Sequence, residues 1–166
     1  MYLEYFNCDY LPFSLTPNTE QYFGAACHNE AIVTLNHALL NGEGFIKVVG
    51  EVGTGKTLLC RKLLNELPAS VRTAYIPNPH LAPNELRHAV ANELGVNLDL
   101  HSDQQEFTQA IQARLVALHQ EFDHVVLVID EAQALPIASM EALRLITNFE
   151  TETKKLLQVV LLGPPE

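Results

Sequence analysis

The strongest constraint on this chain is a short β-branched run, a glycine-rich loop and a glycine-free helix pattern, in that order. The loop reads Gly50-Glu51-Val52-Gly53-Thr54-Gly55-Lys56-Thr57. In a G-x-x-x-x-G-K-T loop, successive backbone N–H groups curl around phosphate oxygens. Glycine is needed where a Cβ would block left-handed turns or the approach of a phosphate. Phe45-Ile46-Lys47-Val48-Val49 has the length of a strand and ends at Gly50. Leu58 to Leu67 contains neither Gly nor Pro and is rich in helix formers. Phosphates would thus meet a helix N-terminus, where dipole and unpaired N–H groups favour anions. The candidate phosphate-binding residues are Gly50, Glu51, Val52, Gly53, Thr54, Gly55, Lys56, Thr57 and Leu58. Lys56 would reach the outer phosphates as a mobile charge, and the Thr57 hydroxyl would hold Mg²⁺.

A second element turns phosphate binding toward hydrolysis. His124-Val125-Val126-Leu127-Val128-Ile129 leads into Asp130-Glu131. A continuous apolar run suits a central parallel strand buried on both faces. Acids at its carboxyl end would emerge in the crevice where open α/β sheets bind ligands. Asp130 would orient Mg²⁺ through water, and Glu131 would take a proton from the attacking water. Taken alone, the pair could also be two solvated acids at a strand end.

Composition bounds the reading. A chain of 166 residues is the size of one α/β domain with a sizeable core. Its net charge is −10, and residues 1–46 contain no Lys or Arg. That leaves no basic n-region for a signal peptide and argues against a nucleic-acid-binding arm. No apolar stretch approaches the length of a transmembrane helix. Cys8, Cys27 and Cys60 are scattered, as in a reduced cytoplasmic protein, and the seven histidines have no metal-ligand spacing.

Elsewhere helices and strands alternate. Residues 1–27 read as an irregular N-terminal segment packing on the core, and residues 28–166 as the nucleotide-binding core. A helix is expected from His28 to Leu40, ended by Gly42, with a strand from Val71 to Ile76 stopped by Pro77-Asn78-Pro79. Pro83 opens a helix carrying Leu86, Val90 and Leu94. Ser102-x-x-Gln105 reads as a capping box for a longer helix buried through Phe107, Ile111, Leu115 and Leu118. Met140, Leu143, Ile146 and Phe149 mark the next helix, and Leu156 to Leu162 a fourth strand. Phe13, Tyr22 and Phe23 read as core aromatics, with stacking on adenine the alternative.

These stretches together resemble a known family. Met1-Tyr2-Leu3-Glu4, Pro12-Phe13-Ser14-Leu15-Thr16-Pro17, Gly42-Glu43-Gly44-Phe45, Tyr75-Ile76-Pro77-Asn78-Pro79, Asp130-Glu131-Ala132-Gln133-Ala134-Leu135-Pro136 and Glu141-Ala142-Leu143-Arg144-Leu145 are its phrases here. With the glycine loop they make the chain similar to the AAA+ ATPases of the general secretion pathway protein A (ExeA) type. More closely, it resembles the ATPases of MSHA (mannose-sensitive haemagglutinin) pilus biogenesis. The resemblance implies a P-loop NTPase fold, three-layer α/β/α with a mainly parallel sheet, and ATP and Mg²⁺ as ligands. It implies ATP hydrolysis, self-association, and an inner-membrane pilus or secretion component as partner. The place implied is the cytoplasm, peripheral to the inner membrane. Two alternatives are an ATP-occupancy switch with negligible intrinsic turnover and a DNA-associated AAA+ helper, against which the negative charge counts.

It further implies that the Val71–Ile76 strand lies beside the Val125–Ile129 strand, with Asn78 near enough to hold the Glu131 carboxylate from water. An Asn between two prolines is also simply a turn residue. Gln133 would order the water or metal shell, or merely enter a helix. Arg144 falls mid-helix and is expected to pair with Glu141. Two departures stand out. Gly163-Pro164-Pro165-Glu166 puts a proline, which donates no hydrogen bond, where the family has a polar phosphate sensor. The sequence also ends before the family's fifth strand, arginine finger and lid, so slow turnover and an exposed edge on the Phe45–Val49 strand are expected.

Overall fold

The computed structural model describes residues 2–16, 18–99 and 101–165. Its sheet contains β1 (Phe45–Val49), β2 (Val71–Ile76), β3 (His124–Ile129) and β4 (Gln158–Gly163) in the order β1-β4-β3-β2. All three pairings are parallel. The chain leaves β1 for the far edge, then returns strand by strand until β4 fills the gap beside β1. The carboxyl ends of β1, β4 and β3 therefore converge at one crevice, the usual ligand side of such a sheet.

Helices cover the two faces: α2 (Ala26–Leu40) and α3 (Lys56–Glu66) on one, and α4 (Pro83–Glu93), α5 (Gln104–Glu121) and α6 (Ile137–Thr147) on the other. A four-residue α1 (Tyr2–Tyr5) precedes them. Strand alternation explains the unbroken apolar run of β3. Val125, Leu127 and Ile129 pack with Leu86, Val90, Ile111, Leu115 and Leu143. Val126 and Val128 face the opposite way, onto Leu35, Leu39, Leu59 and Leu63. β4 divides likewise, with Val159 and Leu161 on the first side and Val160 and Leu162 on the second. Burying each such side chain contributes about 1.5–3 kcal/mol, so β3 and β4 are the centre of the fold.

The expected elements form, with local shifts. α2 begins at Ala26, two residues earlier than expected, and Gly42 follows its cap at φ +81°. The cap of α5 is Asp103, not Ser102: its carboxylate accepts from Glu106 N at 2.8 Å. Asp103-x-x-Glu106 satisfies the capping pattern one residue on, with a charged acceptor. Phe149 lies beyond the end of α6, and Leu156 and Leu157 enter the core ahead of β4. Phe13 and Phe23 are 86% and 85% exposed, which overturns their reading as core; Tyr22 is half-buried against α2 and α3.

The two sheet edges differ. On β2, the Glu93 carboxylate accepts from Tyr75 N at 3.1 Å, and Arg72 donates to Glu93 O at 3.3 Å. A side chain and a helix end thereby occupy the outer edge. Among the described residues β1 pairs with β4 alone, and Phe45 and Val49 are 46% and 48% exposed. Ile46 and Val48 pack under α2, so the expected exposed edge is present and one of its faces is bare.

Candidate functional site

The glycine loop bridges the end of β1 and the start of α3. Gly53 and Gly55 stand at φ +81° and +80°, conformations that a Cβ strains. A Cβ on Gly50 would lie 2.9 Å from Thr54 Oγ1 and 3.4 Å from Lys56 Cδ, so the loop closes only around a bare α-carbon. Gly50 N donates to Gly163 O at 3.2 Å, carrying the β1–β4 ladder into the loop. Thr54 Oγ1 donates to Glu51 O at 2.7 Å. Lys56 Nζ donates to both Gly50 O and Glu51 O at 2.7 Å, which folds the side chain back over the loop.

Across the crevice, Asp130 is 3% exposed at the end of β3. Its Oδ2 accepts from Thr57 Oγ1 at 2.7 Å and its Oδ1 from Glu131 N at 2.9 Å. Glu131 then turns into the left-handed region, φ 52° and ψ 43°, and its exposed carboxylate accepts from Gln133 Nε2. A cavity of about 300 Å³ lies between these parts, lined by Val52, Gly53, Gly55, Lys56, Thr57, Leu58, Glu131, Gln133 and Pro164. A larger one of about 570 Å³, between the N-terminal segment and α3, holds none of the acids or loop residues.

The donor set fits Mg²⁺ with a polyphosphate. Mg²⁺ keeps several waters and binds through one or two protein oxygens plus phosphate, so Thr57 Oγ1 and the Asp130 carboxylate suffice. No cluster of three acidic, His or Cys ligands exists among the described residues, and such a site does not require one. The loop's N–H groups and Lys56 supply the matching positive field.

The sequence pattern described as "AAA domain" matches residues 39–166. The chain belongs to the AAA domain family. This AAA domain is 41% identical over all 166 residues to general secretion pathway protein A of Aeromonas hydrophila, and spans 30% of that protein's length. Its fold is similar to that of the Aeropyrum pernix ORC1 protein, solved in complex with DNA: 25% identity, TM-score 0.64, covering 95% of this chain and 41% of that one. Cdc6p from Pyrobaculum aerophilum is 24% identical at TM-score 0.61, over 98% of this chain and 42% of that one. The expected three-layer P-loop fold with a parallel sheet is thereby established.

Within this AAA domain, β2 does lie beside β3. Asn78, however, is exposed and accepts from His80 N at 3.4 Å, while the Glu131 carboxylate pairs with Gln133. Arg144 pairs with Glu141 at 3.0 Å on the surface of α6, as expected. Pro164 lines the cavity, so the position expected to carry a polar sensor presents a ring without a donor. Beneath the site, burial and the nearby Asp130 charge push the Cys60 thiol up to about 12, with Arg61 opposing. Burial first, then Cys60 and Asp130, likewise raise the Tyr75 phenol to about 12. Cys60 is therefore an inert thiol in the core. No helix among the described residues is long and apolar enough to cross a membrane.

One contact escaped the sequence. His28, in the first turn of α2, places Nε2 2.9 Å from Thr54 O, joining α2 to the loop. A single histidine 26 residues before its partner leaves no spacing signal.

Proposed function

We propose that this AAA domain binds Mg²⁺-ATP in the cavity beside the glycine loop and hydrolyses it, powering an assembly factor of an MSHA-like type IV pilus or of general secretion. The observation that carries the reading is the 2.7 Å bond from Thr57 Oγ1 to Asp130 Oδ2 at the mouth of the loop. It sets a hydroxyl and a carboxylate side by side on the phosphate path, the pair that Mg²⁺-phosphate chemistry needs. Thr57 Oγ1 and the Asp130 carboxylate would hold the metal, which when bound would supply positive charge against that building on the transferred phosphoryl group. Lys56 leaves its two carbonyls for the outer phosphates, and Gly50 to Leu58 present backbone N–H groups to them. Glu131 accepts a proton from the water that attacks the terminal phosphorus, and ADP and phosphate depart. Identity of 41% across the whole chain to general secretion pathway protein A supports the secretion setting. Because this chain spans 30% of that protein, oligomerisation and an inner-membrane partner belong to the proposal.

The thermal midpoint with and without Mg²⁺-ATP, with Lys56→Ala as control, tests it. At about 100 times Kd a ligand stabilises the fold by roughly 2.7 kcal/mol, which is a rise of several degrees. A rise that requires Lys56 supports the site, and a folded chain with no rise removes it.

Pro164 favours a second reading, a switch that reports ATP occupancy and hydrolyses only to reset. A wall that offers the terminal phosphate no donor weakens transition-state stabilisation more than binding. Tight binding with turnover slower than once per minute, accelerated by a partner, would select this second reading.

A further inference from the structure

We propose that Gln133 is the positioning residue for Glu131, aiming its carboxylate into the phosphate cavity; this deepens the ATPase reading above and rests on it. Glu131 needs such a support. Its backbone stands in the left-handed region, uncommon for a residue with a side chain, and its carboxylate is exposed rather than packed. A flexible acid there would spend little time in any one direction. Gln133 Nε2 donates to Glu131 Oε2, leaving Oε1 for a water. The other end of the same amide is lodged against β4: Gln133 Oε1 lies 3.1 Å from where a Cβ on Gly163 would stand. The missing side chain of Gly163 is thus the berth for Gln133, and the amide spans from the end of β4 to the acid. Gln133, Glu131, Lys56 and Thr57 line one cavity, so the direction fixed is the one that faces the phosphates. A surface glutamine serving only the short 3₁₀ turn Ala132–Ala134 would need neither the berth nor the carboxylate.

The test measures ATP affinity and kcat in the full chain for Gln133→Met, Gln133→His, Glu131→Gln and the Gln133→Met, Glu131→Gln pair. Met keeps the length and removes the donor, whereas His keeps an N–H at similar reach. Gln133→Met should lower kcat about tenfold or more with Kd within about twofold, since misaimed groups cost rate rather than binding. His should restore part of the loss, and Gln133→Met should add nothing once Glu131 is Gln. Parental kcat in Gln133→Met, or an equal further loss in the Glu131→Gln background, would overturn the proposal. A parent chain that binds no nucleotide overturns the ATPase reading instead. The pairing is then judged by the Gln133 side-chain amide resonance, which should move on Glu131→Gln; an unmoved resonance would sink it.

Discussion

Thr57 and Asp130 lie 73 residues apart in the chain and 2.7 Å apart in space. The bond fastens the first turn of α3 to the end of β3 and satisfies a nearly buried carboxylate. Thr57→Val keeps the shape but leaves Asp130 Oδ2 without its donor, at a cost of about 1–3 kcal/mol. The thermal midpoint of the ligand-free chain should fall by several degrees. Thr57→Ser, which retains the hydroxyl, should stay close to the parent. Equal midpoints for Val and Ser would show that the bond contributes nothing to stability.

Glu131→Gln separates binding from chemistry. The amide fits the same space and accepts no proton, so Mg²⁺-ATP should bind while turnover drops by about 10²–10⁴. Phosphate release and equilibrium nucleotide titration on the same preparation check this. Unchanged kcat would remove Glu131 from the proton-accepting role.

Asn78 should matter little to the unstimulated rate. Its amide oxygen is engaged by His80 N, and Glu131 is engaged by Gln133. Asn78→Ala is expected to leave basal hydrolysis within about twofold, the range of an exposed substitution. A loss of tenfold would restore the contact with Glu131 that the resemblance implied.

His28 should affect nucleotide affinity through Thr54. Removing one hydrogen bond from the loop, worth about 1 kcal/mol, predicts a roughly fivefold weaker Kd in His28→Ala. His28→Gln keeps a donor near the same point and should recover most of it. Titration with a fluorescent ATP analogue distinguishes the two.

Alkaline stability carries a signature of the groups beneath the site. The folded chain holds the Cys60 thiol at about 12 against an ordinary 9.0, and the Tyr75 phenol at about 12 against 10.0. In both, the native state favours the neutral form. Below the ordinary values the contribution is fully present. Between about pH 9 and 12 the unfolded chain releases protons that the folded chain keeps, so stability falls as pH rises. Urea midpoints should decline across that window, and Cys60→Ala should flatten the decline. An identical slope in Cys60→Ala would remove Cys60 as its source.

Much of this was legible in the residues, and the exceptions have a common cause. The phosphate loop, β3 and the acids after it are contiguous segments whose period and spacing state their role. β3 reads as buried on both faces because every position is apolar. The cap of α5 sits one place beyond the expected one because two capping patterns overlap at 102–106, and the better acceptor wins. Phe13 and Phe23 mislead because aromaticity does not say whether a surface awaits the ring; in this fold both rings lie outside the two layers of core. The His28–Thr54 and Gln133–Gly163 contacts depend on how elements dock, information that no local window contains.

Lys56 has a consequence for how the site will answer its ionic surroundings. Its ammonium rests on two carbonyl oxygens of its own loop, an ion–dipole arrangement that salt hardly perturbs. Moving onto a polyphosphate exchanges that for an ion–ion contact, which counterions do compete with. The electrostatic gain on binding is a difference between two occupied positions of one charge, and only the second of them feels the solvent. Salt should therefore act mainly on how tightly a nucleotide binds and little on the shape of the loop that receives it.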